Sequence, residues 1–253
     1  MNYDDFLELL KYRRSIRRFT TDPVSDSQIA KVLDAAHYAM SGANSQPWEF
    51  VVVKDPASRE RLFGAYVRDM DTTWHLEQQR TAQYRHPAFN VTVDDKEKAV
   101  GMQANWREAP VVVVILEDPR KQWGSVMSAH GDLMYNSNRS ILSATMGHVS
   151  MVIHLAAASL GLGTQRVDVI SNEQGYKEIL GYPEPLRVNI IVPIGYRAYD
   201  PGPPHRLPIE DLVHHDRYDR SKYLRDEDFL KYIEKIRVLG RPGYRVAIGE
   251  ELG

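Results

Sequence analysis

The sequence contains no cysteine. That absence removes disulfide frameworks, cysteine zinc sites, cysteine-held iron–sulfur clusters and thiol nucleophiles together. It also accords with a reducing compartment. An excess of charge is missing as well. Lys plus Arg number 32 and Asp plus Glu 34, for a formal net charge of −2. This balance excludes a global electrostatic footprint for nucleic acid. Long apolar runs are absent too. The longest strongly apolar stretch, Val111–Leu116, is far short of the roughly 20 residues that a membrane span needs. The start, Met1-Asn2-Tyr3-Asp4-Asp5-Phe6, is acidic where a signal peptide is basic. The expectation is a soluble, cytoplasmic protein with no membrane or nucleic-acid partner. Any redox chemistry must come from something the chain binds.

Familiar catalytic signatures are equally scarce. No H-E-x-x-H, P-loop or G-x-S-x-G pattern occurs. His148 and His154 fall on different helix faces, and the adjacent His214 and His215 point apart. No metal site is predicted, and each histidine reads as satisfied or solvated. Gly161-Leu162-Gly163 lacks the third glycine of a dinucleotide fingerprint, since Arg166 stands there. The strand and helix also come in the wrong order for it. These glycines read as a helix stop that lets backbone approach a ligand closely.

What is present suits a globular core. The 253 residues are 43% hydrophobic and 26% charged. Apolar spacing predicts helices over 4–12, 25–36, 57–80, 139–160, 172–180 and 226–237. Ser25 with Gln28 reads as a capping box. Strands are predicted at 48–53, 111–116, 165–170 and 188–194, the second buried on both faces. The helix 139–160 is apolar almost all round and belongs in a core or an oligomer interface. Residues 81–105 are polar and weakly patterned, like a lid or excursion. The order predicts an α+β fold, helices on a sheet.

Two segments carry binding chemistry. Lys11, Arg13, Arg14, Arg17 and Arg18 repel one another unless an anion lies among them. With Ser15 they offer forks and a hydroxyl suited to phosphate. The same cluster also reads as a solvated helix end, where cations favour the dipole. Ser41-Gly42-Ala43-Asn44-Ser45-Gln46-Pro47 is a polar loop ahead of a strand. It can hydrogen-bond a planar heterocycle, or be a turn.

In order along the chain, the motifs resemble one family. Arg13-Arg14-Ser15-Ile16-Arg17-Arg18-Phe19 and Ser41 to Val53 resemble the first half of the FMN-dependent nitroreductase superfamily. Leu155-Ala156-Ala157, Leu160 to Thr164, Val192 to Tyr196, and Arg206 to Val213 resemble the second half. The resemblance implies a mostly antiparallel α+β sandwich flanked by helices, in a domain-swapped homodimer with two FMN molecules at its interface. It implies that Arg13, Ser15 and Arg17 hold the FMN phosphate and ribityl chain, with Arg14 adding contacts and Arg206 closing on the phosphate. Ser41, Gly42 and Asn44 are implied to reach the flavin from the partner chain. Gln165, Arg166 and Val167 are implied to line the isoalloxazine and donate backbone N–H groups. NADH or NADPH is the implied electron donor, in a ping-pong reaction with no side chain needed as acid or base. The acceptor is a small nitroaromatic, quinone or enone.

The loop at Ser41 looks like the iodotyrosine deiodinase branch. That branch carries a Glu-x-x-x-Tyr pair and a lid Lys, and here Met70, Trp74 and Gln103 stand at those positions. Met70 and Trp74 then suggest a more apolar substrate. A non-catalytic flavin sensor, a flavin-fragmenting branch and a dehalogenating branch are the alternatives. Residues 1–215 are expected to form the FMN-binding domain, and 216–253 a charged extension packed on the partner subunit.

Overall fold

A computed structural model describes residues 2–81, 105–121, 132–202 and 206–239. The chain divides into two compact units, residues 1–72 with 104–200, and 73–103 with 201–253.

The first unit is built on a four-stranded sheet, β1 (Trp48–Val53), β2 (Val111–Glu117), β3 (Gly163–Thr164) and β4 (Arg187–Gly195). The order is β1-β2-β4-β3, and every pairing is antiparallel. Val113 of β2 lies opposite Val52 on one side and Val192 on the other. Six consecutive residues of β2 are buried, because both faces of this central strand are covered. Its alternate residues Val111, Val113 and Ile115 share one core with Ile190, Val192 and Ile194 of β4.

Helices α1 (Tyr3–Tyr12), α2 (Asp26–His37) and α3 (Pro56–Gln79) come first in the chain. Then follow α4 (Asp132–Ser159) and α5 (Glu173–Leu180). The capping box at the start of α2 is present. Ser25 Oγ accepts from the Gln28 N–H at 3.2 Å, and Gln28 Oε1 accepts from the Ser25 N–H at 3.1 Å. Ile29, Val32 and Ala36 of α2 meet Met146, Val149, Ile153 and Ala157 of α4 in the sheet's core. Stretch 141–159 of α4 is long and apolar enough to cross a membrane by length and composition. Counting uninterrupted runs misses it, because Ser143, His148 and His154 are scattered through it. Its packing against α2 and the sheet makes it a core helix. Ile141 and Met151 nevertheless stay exposed, so its apolar surface is only partly covered within one chain.

A buried carboxylate ties α3 to the start of α5. Asp69, 1% exposed, accepts from Ser171 Oγ at 2.6 Å, the Asn172 N–H at 3.1 Å and Tyr176 Oη at 2.7 Å. Burial, and then this bond to Asp69, push the Tyr176 phenol well above the usual tyrosine range. The predicted strand at 165–170 shrinks to the pair β3 plus one bridge, Val167 to Ile191.

The second unit holds two helices beyond 206, α6 (Ile209–Leu212) and α7 (Asp226–Leu239). Lys222 Nζ donates to the Glu210 carbonyl and, at 2.8 Å, to the Val213 carbonyl, closing the end of α6. The predicted excursion at 81–105 falls almost wholly outside the described residues, and so does Gln103.

Candidate functional site

The basic segment leaves helix at a defined point. Arg13 caps α1 with extended backbone, φ −64° and ψ 117°, and its N–H still donates to the Leu9 carbonyl at 2.9 Å. Two residues on, the chain joins the sheet edge. Ser15 forms a parallel bridge with Thr164, and the Ile16 N–H donates to the Thr164 carbonyl at 2.8 Å. Ile16 is fully buried and anchors the segment.

Gly163 explains how the strands come so close. A Cβ there would meet the Ile16 side chain at 2.8 Å. The close approach at this glycine is to Ile16. Gly161 plays the other expected part, since its φ of +76° turns the chain out of α4.

A cavity of 160 Å³ opens beside this junction. Its lining includes Arg13 and Arg166 together with the hydroxyl-bearing residues Ser15, Ser150 and Thr164. Gly147, Met151 and His154 complete it. Two cations with several hydroxyls and no carboxylate among the lining residues make an anion cradle. Arg166 also pairs with Asp168 at 3.0 Å.

His154 is buried in this wall. Burial first, and then the charges of Arg13 and Arg166, push its pKa from 6.5 down to about 4. The folded chain thus binds this proton more weakly than the unfolded chain. The associated stability is complete above about pH 6.5 and is lost as pH falls towards 4. The expected loss by pH 4 is about 3 kcal/mol. Urea denaturation from pH 7 to pH 4 checks this, and His154→Leu should flatten the profile there. An unchanged slope would assign the proton to another group.

The other expected residues are placed as follows. Arg17 Nη1 donates to the Ser15 carbonyl at 3.4 Å, and its N–H to Tyr199 Oη at 3.4 Å. Arg14 follows Arg13 in the half-buried segment. Ser41 Oγ accepts from the Gln46 N–H at 3.1 Å, and Asn44 Oδ1 accepts from Gln46 Nε2 at 3.3 Å. Ala43, Asn44 and Gln46 all have φ between 45° and 52°, a left-handed backbone that side chains disfavour. Gly42 is needed because a Cβ there would meet Ile141 at 2.9 Å.

The expected backbone donation needs correction at Gln165 and Val167. The Gln165 and Val167 N–H groups already donate to the carbonyls of Pro193 and Ile191, at 3.3 and 2.9 Å. Sheet pairing has used them. The Gln165 side chain is different, since its buried Oε1 has no hydrogen-bond partner among the described residues. Met70 is 9% exposed on α3, and Trp74 is one turn further along. Arg206 lies in the second unit, in an exposed position. Sequence analysis read His154 as satisfied or solvated, and its two bonds make it satisfied, but its place beside the cavity was not foreseen. The i, i+4 spacing of Ser150 and His154 was its only local signal.

This architecture has solved counterparts. Nitroreductase A from Vibrio parahaemolyticus superposes with a TM-score of 0.64 at 21% identity, covering 97% of this chain and 86% of that one. The NADPH:FMN oxidoreductase of Vibrio harveyi, solved with NAD+, gives 0.62 at 21% identity, covering 92% and 85%. These likenesses define the class of fold. The chain itself belongs to the nitroreductase family, which its residues 10–196 match. It is 31% identical over 217 residues to an NADH dehydrogenase of Thermus thermophilus, covering 79% of this chain and 91% of that protein. It is also 28% identical over 201 residues to iodotyrosine deiodinase 1 of Rattus norvegicus, covering 78% of this chain and 63% of the relative. The chain is a nitroreductase-family oxidoreductase.

Proposed function

We propose that the chain is a homodimeric FMN-dependent oxidoreductase. It would take hydride from NADH or NADPH and reduce a small nitroaromatic, quinone or enone. The observation that carries this reading is the cavity walled by Arg13, Ser15 and Arg166. Its cations and hydroxyls fit the phosphate end of FMN. The unpartnered Gln165 Oε1 fits too, since the flavin ring offers an N–H and a buried acceptor favours a partner.

Within this reading Arg13, Ser15 and Arg17 hold the phosphate end and Arg14 adds contacts. Gln165, Arg166 and Val167 border the ring. Ser41, Gly42 and Asn44 reach it from the partner subunit. Bound FMN would supply the hydride chemistry that these side chains lack. The chain's own part is to bind, orient and exclude water. Met70 and Trp74 offer an apolar face to the acceptor. They stand where the deiodinase branch has its charged clamp, so deiodination is not proposed.

A second subunit is supported by apolar surface left open in one chain. Tyr3, Phe6 and Leu10 of α1 and Ile141 and Met151 of α4 are exposed. In the charged extension from 216, whose last residues 240–253 lie outside the described residues, Phe229 at 44% exposure is an apolar anchor available to a partner subunit.

Stopped-flow mixing with NADH or NADPH tests the function. Purified protein should be yellow, and its flavin absorbance should bleach and then recover when an acceptor is added. Protein that neither carries nor takes up FMN would remove the proposal. Bound flavin that no nicotinamide bleaches would leave a flavin-binding sensor instead.

A further inference from the structure

One buried titratable side chain beside the cavity has no part in the reading above. His154, on α4, is 7% exposed. Its Nδ1 lies 2.8 Å from Thr164 Oγ1, and its Nε2 lies 3.3 Å from Ser150 Oγ. Both Thr164 and Ser150 are lining residues of the cavity. Thr164 is the junction of the cradle. On one side it pairs with Ile194 of β4, and on the other its carbonyl accepts from Ile16. A continuous chain of bonds therefore runs from α4 through the imidazole and Thr164 to the segment bearing Arg13 and Ser15.

We propose that His154 is a positioning residue for the anion cradle. It clamps the Thr164 side chain to α4 and so fixes the Arg13–Ser15 segment against the sheet edge. The choice of FMN as ligand rests on the function proposed above, whereas the clamp serves any phosphate-bearing anion.

The chemistry of the position supports this role. A neutral imidazole offers one donor and one acceptor, and a hydroxyl can play either part. Both contacts are thus satisfied in either tautomer. The charged groups lining the cavity around the ring are Arg13 and Arg166, both cationic. A lysine here would add a third like charge, and a carboxylate would cancel the attraction for an anion. An apolar side chain would leave the buried Thr164 hydroxyl without its partner. That hydroxyl would then compete for donors and acceptors of the cradle. A neutral polar bridge avoids all three outcomes.

The test uses the full chain stripped of flavin. FMN affinity is read by quenching of flavin fluorescence, and inorganic phosphate affinity by thermal shift. His154→Leu should weaken both by about tenfold. His154→Gln retains a donor and an acceptor and should recover to within about threefold of wild type. Thr164→Val removes the hydroxyl at similar volume and should match His154→Leu. The double variant should be no weaker than either single one, because both break one link.

Wild-type affinity in His154→Leu, with only Tm lowered, overturns the clamp and leaves the ring as packing. A Gln variant as weak as the Leu variant overturns it too. Should His154→Leu fail to fold, Thr164→Val decides alone, and its retention of wild-type affinity counts against the clamp. Wild-type protein that binds phosphate but not FMN refutes the FMN reading and leaves the clamp testable with phosphate. Wild-type protein that binds neither refutes both.

Discussion

Arg13→Ala is expected to weaken FMN binding about a hundredfold, the loss typical of a charged hydrogen-bonding partner. Arg13 sits where α1 ends and the extended segment begins, so its guanidinium is carried to the cavity wall by backbone tied at both ends. A tethered fork loses little freedom on meeting a phosphate. Arg13→Lys keeps the charge but not the fork, and should recover about tenfold of the loss. Fluorescence titration of the flavin-free chain reads both values. Wild-type affinity in Arg13→Ala would remove this residue from the cradle. A weakened affinity accompanied by partial unfolding of the flavin-free variant at the assay temperature would mark a folding defect instead.

Asp69→Ala is expected to be the most damaging single change to the fold. The carboxylate accepts from a serine hydroxyl, a backbone N–H and a phenol at 2.6 to 3.1 Å, almost wholly out of water. Removing it strands those donors in the interior, at a cost of about 3 kcal/mol. Asp69→Asn keeps a carbonyl oxygen and should cost about 1 kcal/mol. Urea denaturation measures both. A loss in the alanine variant no larger than in the asparagine variant would mean that water or a neighbour replaces the carboxylate easily. Asp69 precedes Met70 on α3, so the stability of this knot bears on a residue assigned to the acceptor.

The fold was largely legible in the sequence, and for definite reasons. The valine run of β2 announces burial on both faces, and Ser25 with Gln28 announces the start of α2. The Gly161 stop follows from its left-handed backbone. The strand predicted over 165–170 fell short because its pairing depends on β4, which no local pattern reports. The site was half legible. The crowding of arginines near Arg13 signals an anion by charge alone. Arg166 and Thr164 join that cradle only through the sheet edge, so only the family resemblance, and no local pattern, brings Arg166 to it. The Asp69 knot and the His154 contacts were hidden for the same reason, since each links residues brought together by packing.

The Ser15–Thr164 bridge has a consequence for how the protein is made. It joins a segment to one translated well after it, and β4 must then arrive to hold Thr164 from its far side. Contacts so distant in the chain form late, after the local helices. The arginine-rich segment therefore waits, positively charged and not yet joined to the sheet, until β3 and β4 have been made. Its place at the sheet's edge becomes available only when nearly all of the matching region has been translated. The cradle is a checkpoint of completion, because a chain truncated before β4 would carry the arginines without the surface that makes them a site.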